Sequence, residues 1–147
     1  MDFKSIFWDD VVEGQELPTL SKEVTATTIV AGAFASRDLM PIHHDRDFAN
    51  KQGAPDIFLN ILTIGGWAGN FLTSWSGPEG ELKHLEIKLG MPCFPGNTMN
   101  WQGKVVKKFV DGKEHLVDIE YNATIPLGSL CRGKATLALP TKKAGGK

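Results

Sequence analysis

The chain has 147 residues, 41% apolar and 22% charged, which fits one packed domain and excludes collagen-like, disordered and disulfide-scaffold classes. Sixteen basic and seventeen acidic residues leave a formal charge of −1. That balance supplies no field for a nucleic-acid backbone or an anionic membrane surface, so neither is expected as a partner.

The first ten residues carry Asp2, Asp9 and Asp10 and no basic region ahead of an apolar run, so they do not read as a secretory signal. Trp8 to Pro18, with Gly14 among acidic residues, is loop composition, and Ser21 to Thr25 alternates like a short strand. Thr27 or Thr28 can cap a helix over Ile29 to Ser36, whose Ile29, Val30, Ala33 and Phe34 share one face. Pro41 forbids its smooth continuation, and a polar segment runs from Arg37 to Pro55.

The least polar stretch, Ile57 to Trp75, contains Asn60, Asn70, Gly65, Gly66 and Gly69, which suits a buried helix better than a membrane span. Asp56 can cap it, because a carboxylate accepts a backbone N–H of the first turn. Trp75-Ser-Gly-Pro-Glu-Gly80 stops it.

Beyond Gly80 the period shortens. Leu82 to Leu89, Thr98 to Val110, Glu114 to Ile125 and Leu130 to Leu139 read as strands, and Asp111-Gly112 is a tight-hairpin signal. One long helix before an antiparallel meander is an α+β arrangement. A helix apolar over most of its circumference needs a sheet rolled around it, with Gly65, Gly66 and Gly69 permitting close approach. The domain is expected over 1–140, with a flexible Lys- and Gly-rich tail at 141–147.

Cys93 and Cys131 lie far apart, with no ligand spacing and no neighbouring base. Neither a zinc site, a disulfide framework nor a thiol nucleophile is read from them, and a reducing cytoplasm suits them. The densest titratable cluster is Arg37-Asp38-Leu-Met-Pro41-Ile-His43-His44-Asp45-Arg46-Asp47. With Pro41 bending the chain, Asp38 and His43 can converge on one water and act as acid and base at the two ends of a reacting bond. Histidine suits the base role, since its unperturbed pKa is about 6.5. An aspartic acid that donates a proton would have to be kept protonated by an apolar pocket. By composition alone such residues more often form a hydrogen-bonded capping loop.

The run Asp38-x-x-Pro41-Ile42-His43, followed by Asp45 and Ala49, resembles the signature of the MaoC-like dehydratases, the (R)-specific enoyl-CoA hydratases of hot-dog fold. Trp8 with Gly14-Gln15, Pro92-x-x-Pro95-Gly96-Asn97-Thr98, Gly103 and Gly128 fall in the family's order. Arg37-Asp38, His43 to Asp47, Gln52-Gly53, Asp56-Ile57-Phe58, Asn60 to Thr63, Trp75-x-Gly77-Pro78 and Leu89-Gly90-x-Pro92 are similar to the small catalytic subunit of actinobacterial steroid side-chain hydratases.

The resemblance implies a lyase that adds water to a trans-2-enoyl-CoA, or removes it, plausibly in steroid side-chain oxidation. It implies His43 as the group activating water toward the β-carbon, Asp38 as the donor to the α-carbon, and the Asn60 backbone N–H as the donor to the thioester oxygen. No cofactor or metal is needed, because CoA belongs to the substrate. The family usually has Gly before the aspartate, Asn two residues after it and Gly at the oxyanion position, where this chain has Arg37, Met40 and Asn60. Asn97, where Asp is common, reads as turn chemistry.

Other residues carry simpler expectations. His44 contacts CoA or a partner, or is a solvated or capping residue; Asp45, Arg46 and Asp47 brace the loop. His84 and His115 read as surface or packing, and Trp67, Phe71, Leu72 and Trp75 as core before acyl pocket. A hot-dog thioesterase, or a non-catalytic hot-dog subunit completing a partner's acyl-CoA site, are the competing functions. An open sheet edge and helix face imply pairing of two such units as a homodimer. The resemblance adds the alternative of a heterotetramer with a second hot-dog subunit that shares the acyl pocket.

Overall fold

In the computed structural model, which describes residues 4–142, the chain enters through a 3-10 turn, Trp8–Asp10, and a short strand, β1 (Leu20–Glu23). The first helix, α1 (Ala26–Ala35), starts earlier than its apolar pattern suggests. Thr25, not Thr27 or Thr28, is its cap: the Thr25 hydroxyl accepts the Thr28 N–H at 3.1 Å. The polar stretch expected as loop holds a 3-10 turn, Pro41–His43, and a six-residue helix, α2 (Arg46–Lys51). The signal for α2 is Asp45, whose carboxylate accepts the Phe48 N–H at 3.0 Å.

The long apolar pattern forms α3 (Ile61–Ser76). Asp56 does not cap it. Asp56 Oδ1 instead accepts from Arg46 Nε at 2.9 Å and the Ile57 N–H at 2.8 Å, and the chain stays extended until Asn60, whose Oδ1 accepts the Thr63 N–H at 3.1 Å. No helix among the described residues is long and apolar enough to cross a membrane.

The remaining strands are β2 (Glu81–Leu85), β3 (Lys88–Leu89), β4 (Thr98–Asp111), β5 (Glu114–Ile125) and β6 (Gly128–Ala138). They form one antiparallel sheet in the order β1-β4-β5-β6-β2, with β3 also paired to β6. The expected strand over Leu82 to Leu89 is broken at Glu86-Ile87. There the Glu86 carbonyl accepts the Tyr121 hydroxyl at 2.6 Å and passes over Gly133, where any side chain would collide with it. Pairing of Asp111 with Glu114 closes the β4–β5 hairpin on Gly112-Lys113.

The sheet curls over one side of α3, so the rolled α+β arrangement is present. Ile64, Ala68, Phe71, Leu72 and Trp75 of the helix are buried against Trp101, Val105, Ile119, Tyr121 and Leu137. Each Ile, Leu, Val or Phe among them contributes about 1.5–3 kcal/mol on full burial. Gly103 lets Phe71 sit this close, since a Cβ there would lie 3.2 Å from the ring. The opposite face of α3 is uncovered: a Cβ on Gly65 or Gly66 would meet nothing within 4 Å, and one on Gly69 only Leu82 at 4.0 Å. Gly65 and Gly66 therefore do not serve contact with the sheet, whereas Gly69 faces Leu82 of β2.

Of the expected tail, Lys142 lies against the opening turn, with its N–H donating to Asp9 at 2.8 Å and its ammonium paired with Asp10. Residues 143–147 lie outside the described residues.

Candidate active site

Asp38 is placed by the way α1 ends. The Arg37 N–H donates to the Phe34 carbonyl at 3.1 Å and the Asp38 N–H to the Ala33 carbonyl at 2.9 Å, the paired bonds of a Schellman C-cap. Such a cap needs a left-handed residue just past the helix, and Arg37, at φ 57°, is the one non-glycine with positive φ among the described residues. The turn carries Asp38 out of the helix line and toward the start of α3. Its Oδ1 accepts the Met40 N–H at 3.3 Å, closing an Asx turn that leads into Pro41.

Pro41 opens the 3-10 turn that ends on His43, which is 8% exposed. His43 Nδ1 lies 2.7 Å from the Phe58 carbonyl oxygen, which can only accept. Nδ1 therefore carries the hydrogen, and Nε2 points at Asp38 Oδ2, 3.5 Å away. With His43 neutral, both facing atoms are acceptors, an arrangement that suits a water donating one hydrogen to each. The Phe58 ring stands edge-on to the imidazole at 5.1 Å and to Phe94 at 6.1 Å, walling the histidine on one side.

Asn60 completes the site. Its side chain is buried, and Nδ2 donates to Asp38 Oδ2 at 3.0 Å and to Ser36 Oγ at 2.9 Å. The Asn60 amide and, more weakly, the Met40 N–H hold the Asp38 carboxyl below the ordinary carboxylate range, with the His43 charge as a lesser cause. Asp38 is thus a resting carboxylate, contrary to the expectation of an acid kept protonated by an apolar pocket. The Asn60 backbone N–H has no acceptor among the described residues. Among those residues no three His, Cys, Asp or Glu side chains gather as metal ligands.

No protein-family model matches the chain. It is 42% identical, over 94 residues covering 64% of this chain and 73% of the relative, to the 3-oxo-4,17-pregnadiene-20-carboxyl-CoA hydratase beta subunit of Mycobacterium tuberculosis. Its fold superposes on one chain of the crystal structure of the ChsH1–ChsH2 complex from that organism with a TM-score of 0.81 and 35% identity, over 87% of this chain and 98% of that one. The chain belongs to the MaoC-like hydratase family of hot-dog proteins. R-hydratase PhaJ1 from Pseudomonas aeruginosa, at 16% identity and TM-score 0.82 over 94% of this chain and 88% of that one, shares the fold.

Within this MaoC-like site, the three departures from the family pattern have structural positions. Arg37 occupies the left-handed cap where Gly is usual. Met40 supplies only its backbone N–H to Asp38, and its side chain is exposed. The Asn60 side chain reaches Asp38 from another element. The sequence signal for that last contact, an Asn opening an apolar helix, reads only as a cap until the fold puts Asp38 beside it.

The hot-dog fold leaves an open groove of about 650 Å³ beside the site, between α1, α3 and β1, lined by Gly32, Ser36, Leu62, Thr63, Gly66 and Trp67 among others. Of the eleven large apolar side chains exposed among the described residues, Phe34, Leu39, Met40, Ile61 and Leu62 stand on the segments that carry Asp38 and Asn60. This concentration makes the surroundings of the site a surface for an apolar group. A second hollow, about 740 Å³, is lined mainly by outward residues of β4 to β6. Its Glu16, Lys104, Glu120 and Lys134 alternate in charge across paired strands, which is sheet stabilisation. Neither hollow is lined by Asp38 or His43, but the first reaches Ser36 and Thr63, which hydrogen-bond the Asn60 side chain beside Asp38.

The other titratable groups take local roles. His44 Nε2 meets the Leu39 carbonyl at 3.2 Å and its ring packs on Phe34. Asp45 caps α2 and Arg46 pairs with Asp56, as bracing requires. His84 pairs with Glu86 on the surface, and His115 packs edge-on to Trp8. Burial pushes both thiols, Cys93 and Cys131, up to about 11, so neither is a thiolate near neutral pH. Phe71, Leu72 and Trp75 are core, whereas Trp67 lines the groove, with the Lys22 ammonium 5.4 Å from its ring centroid. Asn97 sits in the turn after Gly96, with its N–H on the Phe94 carbonyl at 3.2 Å.

Proposed function

We propose that this chain is the catalytic subunit of an enoyl-CoA hydratase, acting on a trans-2-enoyl-CoA whose acyl group is a steroid side chain. The observation that carries this reading is the convergence of His43 Nε2 and Asp38 Oδ2, 3.5 Å apart, beside the open groove. Water held between them attacks the β-carbon as His43 Nε2 takes one of its protons. That proton passes to Asp38, which delivers it to the α-carbon of the enolate, so one water adds as hydroxyl and hydrogen with nothing left over. In the reverse direction the Asp38 carboxylate takes the α-proton and passes it to His43 Nε2, which protonates the leaving hydroxyl, so both groups end as they began. The Asn60 backbone N–H, at the start of α3, donates to the thioester oxygen as charge gathers there.

The steroid substrate class rests on the relative named for a pregnadiene-carboxyl-CoA hydratase. That relative is a beta subunit, and the superposed chain comes from a ChsH1–ChsH2 complex. This chain accordingly pairs with a second hot-dog subunit, which covers the exposed apolar rim around Asp38 and closes the acyl pocket.

The test is the change in enoyl-thioester absorbance when the chain, alone and with a co-expressed hot-dog partner, receives short-chain and steroid side-chain 2-enoyl-CoA. Turnover is expected to fall about a hundredfold or more in Asp38→Asn and in His43→Ala. Hydrolysis of the thioester without hydration would mark a thioesterase. Inactivity on every thioester with the partner present would leave a non-catalytic subunit that only completes another chain's site.

A further inference from the structure

We infer that Asn60 is a positioning residue for the Asp38–His43 pair: its side-chain amide aims the Asp38 carboxyl at His43, from a different element than the position of Met40, where the exposed thioether offers the carboxyl no donor. The orientation of the amide is fixed on three sides. Oδ1 accepts the Thr63 N–H at 3.1 Å, and the two Nδ2 hydrogens go to Asp38 Oδ2 at 3.0 Å and Ser36 Oγ at 2.9 Å. Ser36 spends its own hydrogen on the Gly32 carbonyl at 2.7 Å, so it can only accept from Asn60. Turning the amide over would set an oxygen against a carboxylate and remove the helix cap.

The oxygen that Asn60 holds is the one facing His43 Nε2. Asn60 is 1% exposed and bridges three segments, the end of α1, the Asp38 loop and the start of α3, so the carboxyl is tied to rigid elements. The groups that face Asp38 are the neutral Asn60 amide and the Met40 N–H, and His43 is the titratable one. A donor on Oδ2 favours the ionised form, the state in which Asp38 receives a proton in hydration and takes the α-proton in dehydration. This inference rests on the hydratase reading for its kinetic half and on the hydrogen bonds alone for the other half.

Asn60→Ser keeps a good helix cap and removes the amide donor; Asn60→Asp keeps the cap and sets a second carboxyl against the first. The Asp38 midpoint is followed by carbon-13 carboxyl NMR of the aspartate-labelled full chain. In the wild type it is expected below the ordinary value of about 3.9, and higher in both variants, most in Asn60→Asp. With the partner subunit present, kcat on 2-enoyl-CoA is expected to fall about ten- to a hundredfold with KM within about threefold, and the acidic limb of the pH profile to move upward. A wild-type midpoint at or above the ordinary value overturns the inference without any variant. So does a folded Asn60→Ser chain with unchanged midpoint and kcat. Absence of wild-type turnover counts against the hydratase reading alone, because the midpoints still judge the Asn60–Asp38 relation.

Discussion

His43 and Phe58 are joined through the backbone and through their rings: Nδ1 donates to the Phe58 carbonyl at 2.7 Å, and the Phe58 ring stands edge-on to the imidazole at 5.1 Å. The first contact selects the tautomer and the second limits ring rotation. Nitrogen-15 NMR of neutral His43 is therefore expected to show the hydrogen on Nδ1. Phe58→Ala, which keeps the carbonyl, should lower turnover by less than about tenfold, against about a hundredfold for His43→Ala. A neutral imidazole carrying its hydrogen on Nε2 would contradict the water-sharing arrangement.

Arg37 sits at φ 57° where the Schellman turn favours glycine. A left-handed L-residue costs roughly 1–2 kcal/mol, partly offset by the extra freedom of glycine in the unfolded chain. Arg37→Gly is expected to stabilise the chain by about 0.5–1 kcal/mol, or about 1–4 °C in Tm. Arg37→Val, β-branched at positive φ, should lower Tm. Equal melting temperatures for all three chains would mean that the turn relaxes.

Two glycines facing opposite sides of α3 should respond in opposite directions. Gly103→Ala places a methyl 3.2 Å from Phe71 and 3.3 Å from Leu17, and overpacking of this kind costs about 1–3 kcal/mol. Gly66→Ala meets nothing within 4 Å inside a helix, so a gain of about 0.5–1 kcal/mol is expected. Because Gly66 lines the groove, its substitution should also weaken kcat/KM for the bulkiest acyl groups. Calorimetry and kinetics on the same two variants separate the effects.

Asp56 is held below its ordinary range by the Arg46 guanidinium and the Ile57 N–H, and Asp38 by Asn60. A carboxyl that titrates lower in the folded chain adds stability in full above the unfolded value, near 3.9, and loses it as pH falls through the folded value. Tm should therefore drop on acidification below about pH 4. In Asp56→Asn the drop should be shallower, from a lower starting point at neutral pH. Parallel curves for the two chains would show that the Arg46–Asp56 pair, half of it solvent-exposed, contributes nothing measurable.

Local periodicity and turn chemistry determined the long helix and the long strands, though not α2, which lies in a polar stretch without an apolar period. The alternation of Thr98 to Val110 and Glu114 to Ile125, the Asp111-Gly112 signal and the apolar run to Trp75 need no distant partner to be read, because backbone geometry sets periods of two and 3.6 directly. The pairing of Asp38 with His43 is legible for the same reason: Pro41 bends a short segment, and their separation is local.

Helix starts are less legible. Thr27, Thr28 and Asp56 compete in sequence with Thr25 and Asn60, since many polar residues can cap and the fold decides which one meets a free N–H. The Asp56 carboxylate goes to Arg46 once α2 forms. What only tertiary structure decided was long-range contact: the Glu86 carbonyl over Gly133, the open face at Gly65 and Gly66, and the Asn60 amide on Asp38, twenty-two residues apart. The last of these depends on how α1 and α3 meet, a long-range arrangement that goes with burial of Ile29 and Ala33 on one helix and Ile64 and Ala68 on the other.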